Sequence, residues 1–281
     1  MEDRLVTVMG ATGKTGRHVA RQATERGWTV RAAGRRAAAH GTWVPFEWDD
    51  PSTWEPAFAG SDAAYILIPF NHPGAPEAAP AVIEAAVAAG VPRIAFLSTI
   101  DVDHAPDDDP TKIAENTLAG LPVRSAMVRP TWFLDNFTVG SFRGMLEAGE
   151  LRLPAGDGLF PFVDTRDVAA VAVAAMADGG PEGPLPVTGP EAVDHHVVAA
   201  ALADALGVPM RYVPVSTEEF VDLLCARGFS TGYGEFLAEA LIKVADGSFD
   251  LRVSDTVPRT VGRPAYSVSD FAKNHAAACL G

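Results

Sequence analysis

This sequence predicts a doubly wound parallel α/β sheet followed by a smaller, mainly helical region. Three observations carry that expectation. Apolar strand-like runs alternate with helix-like segments through the first half, the pattern of βαβ units and a parallel sheet. A glycine-rich turn, Gly10-Ala11-Thr12-Gly13-Lys14-Thr15-Gly16, joins the first such run to the first helical stretch. The 281 residues suffice for one large α/β unit, and 48% apolar with 21% charged residues is an ordinary globular composition.

The elements follow in order. Leu5–Met9 is an apolar run with strand character, and residues 15–25 form a helical stretch stopped by Gly27. Residues 28–33 and 43–46 read as the second and third strands, and residues 64–68 as a buried fourth, ended by Pro69. An alanine-rich helix over 80–89 exits at Gly90 with Pro92 just beyond. Strands five and six are expected at 94–97 and 123–128, the latter closed by Arg129-Pro130. The regularity then loosens. Residues 149–162 are rich in Gly and Pro, 167–176 form another apolar helix, and 179–184 read as a surface connection. Helical patterns recur at 194–206, with Asp194 as N-cap, and at 217–228 and 235–245. The expected division is a nucleotide-binding domain over 1–150 and a substrate region over 151–281, interwoven with it rather than folding alone.

With 22 basic against 36 acidic residues, the net charge of −14 repels phosphate backbones over most of the surface, so nucleic acid is not an expected partner. Only Cys225 and Cys279 occur, which indicates neither a disulfide framework nor a thiolate metal site. The acidic residues of 101–109 lie in a loop broken by Pro106 and Pro110 and match no ligand spacing, so no metal is expected. The longest apolar run is ten residues, too short for a membrane span, and the opening Met1-Glu2-Asp3-Arg4 lacks the features of a secretory signal. The expectation is a cytoplasmic protein with no membrane partner.

The glycine turn carries the most specific chemistry. Its spacing is G-x-x-G-x-x-G, placed where a first strand enters a first helix, and a helix N-terminus there suits a pyrophosphate. Gly10, Thr12, Gly13, Lys14, Thr15 and Gly16 are therefore expected to hold a dinucleotide. A P-loop is excluded, because it needs a glycine at position 8, where Val8 stands. The second strand runs into Gly34-Arg35-Arg36 with no acidic residue to hold a ribose 2′-hydroxyl. Two guanidiniums there suit a 2′-phosphate, so NADP(H) is expected over NAD(H), with Arg35 and Arg36 as its anchors. Glu47 and Trp48, ending strand three, are placed at the adenine. The implied architecture is of Rossmann type.

Four stretches together resemble a known family: the glycine turn; Trp48-Asp49-Asp50 with Thr53-Trp54; Arg129-Pro130-Thr131-Trp132-Phe133-Leu134-Asp135-Asn136-Phe137; and Gly156-Asp157-Gly158 with Pro161-Phe162-Val163 and Asp167-Val168-Ala169. The chain resembles the NmrA-like atypical short-chain dehydrogenase/reductases over nearly its whole length, and within them the ergot-alkaloid-biosynthesis type of reductase. The resemblance implies a Rossmann fold with NADP(H) on the glycine turn. For the reaction it implies either reduction of quinones, imines or enones, or nucleotide sensing without turnover.

Ligands of such sheets sit outside the carboxyl ends of the strands. Ile68, Pro69, Phe70 and His72 after strand four, Ser98, Thr99 and Asp101 after strand five, and Trp132, Phe133 and Asn136 after strand six are the expected contributors. Ile68, Pro69 and Ser98 are assigned to the cofactor, and Phe70, Asp101, Trp132, Phe133, Asn136 and Phe160 to the substrate. Lys112, Thr99 and His72 are the catalytic candidates. Each has a plainer alternative: a lysine at a helix start, a strand-end capping hydroxyl, a loop histidine, or, for the aromatics, core packing. The Tyr-x-x-x-Lys pair of ordinary short-chain dehydrogenases is absent, since Pro69, Ser216, Leu237 and Asp270 follow the four tyrosines at that spacing. The expected function is an NADPH-dependent reductase of a small apolar or aromatic acceptor (imine, iminium, quinone or enone) in secondary metabolism, as monomer or homodimer. A redox sensor without turnover and a non-redox cyclase or isomerase are the alternatives.

Overall fold

The structure is a computed structural model that describes residues 4–69, 72–249 and 251–279. The strands are β1 (Leu5–Met9), β2 (Thr29–Gly34), β3 (Thr42–Pro45), β4 (Ala63–Leu67), β5 (Arg93–Leu97), β6 (Arg124–Pro130), β7 (Glu150–Leu153), β8 (Gly183–Val187) and β9 (Arg211–Pro214). The first helices are α1 (Gly16–Glu25), α2 (Trp54–Phe58), α3 (Ala75–Ala88), α4 (Pro110–Gly120), α5 (Asp135–Thr138) and α6 (Arg143–Glu147). They are followed by α7 (Thr165–Met176), α8 (His195–Leu206), α9 (Thr217–Cys225), α10 (Thr231–Ala245), α11 (Thr256–Val261) and α12 (Val268–Cys279). Among the described residues no helix is long and apolar enough to cross a membrane.

Contacts divide the chain into two units. Unit 1 takes in the chain up to Pro130, Thr165–Val187 and Thr256–Arg263; unit 2 takes in Thr131–Asp164, Thr188–Asp255 and the chain from Pro264. The first crossing falls at Pro130 rather than near residue 150. The physical reason is that unit 1 still needs α7 and β8, which the chain returns to supply.

Unit 1 is a seven-stranded sheet in the order β3-β2-β1-β4-β5-β6-β8, with every neighbouring pair parallel. The strands read as continuous apolar runs because both faces are covered. On one face Met9, Ala33, Ile66 and Phe96 pack with residues of α2, α3 and α4, including Phe58, Ile83 and Leu118. On the other lie α1 and α7. Every residue of α7 except Arg166 is buried, and its small Ala and Val side chains let a helix with no polar face sit against β4, β5, β6 and α1. Arg4 donates to the Met176 carbonyl at 2.7 Å and pairs with Asp178 at 2.5 Å, which places a cation at the negative end of that helix.

Two expectations are corrected. The surface connection predicted over 179–184 turns into β8 at Gly183. Leu185 and Val187 point inward while Pro184 and Pro186 are exposed. Proline fits there because β8 is an edge strand, with a free side that needs no donor. The alanine-rich helix starts at Ala75, not at residue 80; Pro76 lies in its first turn and Pro80 inside it, where one helical bond is forfeited.

Unit 2 is mainly helical, with β7 and β9 as a two-stranded parallel sheet. Asp194 caps α8, as the sequence predicts, by accepting from the Val197 N–H at 2.9 Å. The core of this unit is aromatic, with Phe137, Phe142, Phe160 and Phe220 fully or almost fully buried. His195 sits inside it at 0% exposure, its ring 4.9 Å from Phe160 and 5.2 Å from each of Phe162 and Tyr212. Neither ring nitrogen has a hydrogen-bond partner among the described residues. The imidazole packs in T-shaped arrangements with Phe160 and Phe162, at interplanar angles of 72° and 83°.

Burial lowers the His195 pKa from 6.5 to about 3. The native ring is neutral where the unfolded ring takes a proton, so the unfolded chain binds more protons between those two values. Stability therefore rises with pH across that window, and is lost as pH falls from 6.5 toward 3. We expect the unfolding free energy to drop between pH 6.5 and 5 by about 1–2 kcal/mol, within the limit of ~1.4 kcal/mol per pH unit for one proton. His195→Phe should remove that part of the slope. An unchanged slope in urea titrations of this variant would show that the linkage resides elsewhere.

Candidate nucleotide and acceptor site

Because all seven strands of unit 1 are parallel, their carboxyl ends lie along one edge of the sheet. The strand order reverses between β1 and β4, which opens a crevice at that edge. The glycine turn is at this reversal. Gly10 adopts φ +61°, and a Cβ there would stand 2.9 Å from Leu67 Cδ2 on β4. A Cβ on Gly16 would overlap the Gly10 carbonyl. Only glycine lets α1 begin against the end of β1, with its N-terminus at the crevice. The Gly13 N–H donates to the Gly10 carbonyl at 2.8 Å and closes the turn, leaving Thr12 and Gly13 exposed and Lys14 half-buried.

Thr15 is 3% exposed, and its hydroxyl accepts from Tyr65 at 2.8 Å. Its side chain therefore anchors the turn from below. Tyr65 is fully buried, and burial pushes its phenol well above the usual tyrosine range, which removes it as a proton source.

At the end of β2, Arg35 and Arg36 are exposed, and neither guanidinium has a carboxylate partner among the described residues. In a chain of net charge −14, two adjacent unpaired arginines leave a local site for an anion. Gly34 has no positive φ, and nothing lies within 4 Å of where its Cβ would be. The fold does not demand glycine here; the room is left open at the surface. The turn that a Cβ would fill, the open space at Gly34 and the unpaired arginines all fit a dinucleotide with a 2′-phosphate.

The remaining candidates divide. Trp48 is 8% exposed and packs edge-on to Phe46 at 5.5 Å, so its ring belongs to the core instead of bordering an adenine. Glu47 is half-buried, with its carbonyl accepting from the Trp54 indole at 2.9 Å. Ile68 and Pro69 are half-buried just past β4, and Phe70 lies outside the described residues. His72 turns Nε2 toward Asp49 at 3.5 Å, and its Nδ1 is buried. Ser98, at the end of β5, donates its N–H to the Val128 carbonyl, but its buried hydroxyl has no partner among the described residues. An orphaned hydroxyl at the carboxyl edge is a group awaiting a ligand or water. Thr99 donates to the carboxylate of Asp101, which is exposed.

Lys112 takes a role the sequence did not suggest. Its Nζ donates to the Ala105 carbonyl and to Asp107, both at 2.8 Å, and it holds the Asp107 carboxyl below the usual carboxylate range. It fastens the loop to the start of α4, where Asp109 caps the Thr111 and Lys112 N–H groups. A second fastening is not among the sequence expectations. Arg129, 11% exposed, makes a bidentate pair with the buried Glu115 at 3.0 and 2.5 Å and reaches Asp103 at 2.8 Å. The available signal was Glu115 itself, a charge set between Ala114 and Leu118 on the buried side of α4.

In unit 2, Trp132, Phe133 and Asn136 are half-buried, each with part of its surface exposed. Phe160 is 0% exposed inside the aromatic core, edge-on to Trp132 at 5.9 Å, and presents no surface to a substrate.

A family model described as the NmrA-like family matches residues 2–257. The chain is 32% identical to the NAD(P)H azoreductase of Xenophilus azovorans, over 98% of this chain and 99% of that protein. It is 33% identical to the (4-alkanoyl-5-oxo-2,5-dihydrofuran-3-yl)methyl phosphate reductase of Streptomyces griseus, over 98% and 99%. Among solved structures, the NADPH-dependent quinone oxidoreductase of Escherichia coli complexed with NADPH aligns with a TM-score of 0.80 and 25% identity, over 96% of this chain and 99% of that one. The agreement runs from the glycine turn through both units, and this chain belongs to the NmrA-like family.

Proposed function

We propose that the protein is an NADPH-dependent reductase that delivers hydride to a small, mainly apolar or aromatic acceptor of secondary metabolism: an imine or iminium, a quinone, or an enone. The observation that carries the reading is the pair of exposed, unpaired guanidiniums on Arg35 and Arg36, next to the glycine turn at the sheet's reversal point. The Gly10–Gly16 backbone cradles a pyrophosphate, and Arg35 and Arg36 take the 2′-phosphate. The orphaned Ser98 hydroxyl offers a hydrogen bond at the carboxyl edge. Bound NADPH supplies the hydride. The activity also has the support of similar proteins that are themselves named as reductases of azo, quinone and oxo-dihydrofuran acceptors.

The acceptor class is read from how the candidate proton donors among the described residues are engaged. Tyr65 is sealed and its phenol is a weak acid, and Lys112 is committed to Ala105 and Asp107. His72 faces Asp49, and Thr99 is bonded to Asp101. These engagements leave the four candidates little proton donation with which to assist a simple ketone. An iminium needs no proton before hydride arrives, and a quinone or enone takes its proton from water afterwards. Trp132 and Phe133 supply half-buried aromatic surface suited to such acceptors.

The test is titration with NADPH and NADH, followed by an acceptor screen that monitors loss of the reduced-nicotinamide absorbance. Selective NADPH binding with turnover of quinones, imines or enones, and little with unactivated ketones, is the expected result. Binding without turnover of any acceptor would overturn the reductase reading in favour of a sensor.

A further inference from the structure

Trp43 lies on β3, the edge strand of unit 1, and is 45% exposed. An indole in that position ordinarily contributes little, since it is neither core nor cap. Its Nε1, however, donates to the Gly34 carbonyl at 2.8 Å. Gly34 is the last residue of β2, and the next two residues are Arg35 and Arg36. Across the ladder, Gly34 stands opposite Pro45, which has no N–H. Directly opposite residues of a parallel ladder do not bond each other, so the proline takes no donor from the Gly34 carbonyl, and the indole is an added restraint from the side where the Arg35-Arg36 turn leaves the sheet.

That bond fixes a backbone with unusual freedom. Gly34 has no side chain to restrain it and open space around its Cα, and Arg35 to Ala37 are exposed. Without the indole, the carbonyl from which the turn leaves the sheet would lose its side-chain bond, and Gly34 would bring no side chain of its own to limit the turn. A guanidinium fork recognises phosphate through paired, directional hydrogen bonds, so its value depends on where the backbone points it.

We propose that Trp43 is a positioning residue for discrimination between dinucleotides. Its indole N–H holds the Gly34 carbonyl and so aims Arg35 and Arg36 at a ribose 2′-phosphate. This rests on the reading of those arginines as the 2′-phosphate anchors. Trp43 touches neither the reacting atoms nor, in this account, the phosphate itself.

The test uses binding and not turnover. Full-length wild type, Trp43→Phe and Trp43→Gln are titrated with 2′,5′-ADP and with ADP, which differ in the group the arginines would read. For Trp43→Phe, loss of one hydrogen bond that orders the turn should weaken 2′,5′-ADP by about three- to tenfold, with ADP unchanged. Trp43→Gln, whose amide can reach the same carbonyl, should recover most of that loss. A purely structural role would weaken both ligands together or lower the melting temperature without altering their ratio. If wild type does not prefer 2′,5′-ADP, the reading of Arg35 and Arg36 fails. If wild type prefers it and Trp43→Phe keeps the same ratio, only the role of Trp43 fails. Since Trp43 is exposed on an edge strand, Trp43→Phe should fold; if it does not, Trp43→Leu, which also lacks the N–H, carries the same comparison.

Discussion

Replacing Arg35 and Arg36 together with alanine should weaken NADPH binding by about a hundredfold, the sum of two charge-assisted contacts of roughly 1.5 kcal/mol each. NADH binding should move by no more than about twofold, because nothing on that nucleotide meets the missing guanidiniums. The contrast between the two nucleotides is the informative quantity. Removing two positive charges from a chain of net charge −14 adds a general repulsion, which acts on both nucleotides and fades with salt. A local loss persists at about 0.15 M salt and appears only with NADPH. The melting temperature should not change, since both side chains are exposed and lack carboxylate partners among the described residues. Calorimetric titrations of both nucleotides at two salt concentrations decide the matter, and equal losses for NADPH and NADH would refute the assignment.

The other large effect concerns folding. Arg129→Leu should destabilise the protein by roughly 3–5 kcal/mol, because it strands a buried carboxylate on Glu115 that is 7% exposed. The pair itself is worth less than this figure. In the double variant with Glu115→Leu, most of the loss should return, since two apolar side chains replace two desolvated charges. The exposed end of the network supplies the control: Asp103→Asn, at a carboxylate 70% exposed, should cost no more than about 1 kcal/mol. Urea denaturation of these proteins together with Glu115→Leu alone completes the cycle and measures the coupling. A double variant as unstable as Arg129→Leu alone would mean that the guanidinium does something besides neutralise Glu115.

Much of unit 1 was legible because its signals are local. Leu5–Met9, the glycine turn and the helix after it are specified by neighbouring residues, and so is the missing acid at the end of β2. The sequence also announced the cap at Asp194, for the same reason. What escapes depends on packing and pairing that residue spacing alone does not fix, whether the partner is near or far in the chain. Strand β8 alternates inward Leu185 and Val187 with outward prolines, yet proline reads as a breaker until the strand is known to be an edge. Trp48 looked available to a ligand because an aromatic at a strand end is equally suited to core or site, and only Phe46 beside it decides. Lys112 carried no sign that a carbonyl seven residues back would claim its ammonium. His195 reads as the opening of a helix, and its burial among Phe137, Phe160, Phe162 and Tyr212, aromatic residues of three other segments, does not follow from spacing.

The return of the chain to unit 1 bears on how the protein is made. When the first 130 residues have left the ribosome, six of the seven strands exist, but the face of β4, β5 and β6 that α7 will cover is bare. That helix is encoded from residue 165, the last strand from 183, and α11, which packs on α7, from 256. A nascent chain therefore carries the complete glycine turn long before it carries the helix that seals the sheet behind it. Closing it requires contacts of high sequence separation, which form slowly and leave apolar surface open meanwhile. The nucleotide-binding half begins translation first and finishes folding near the end.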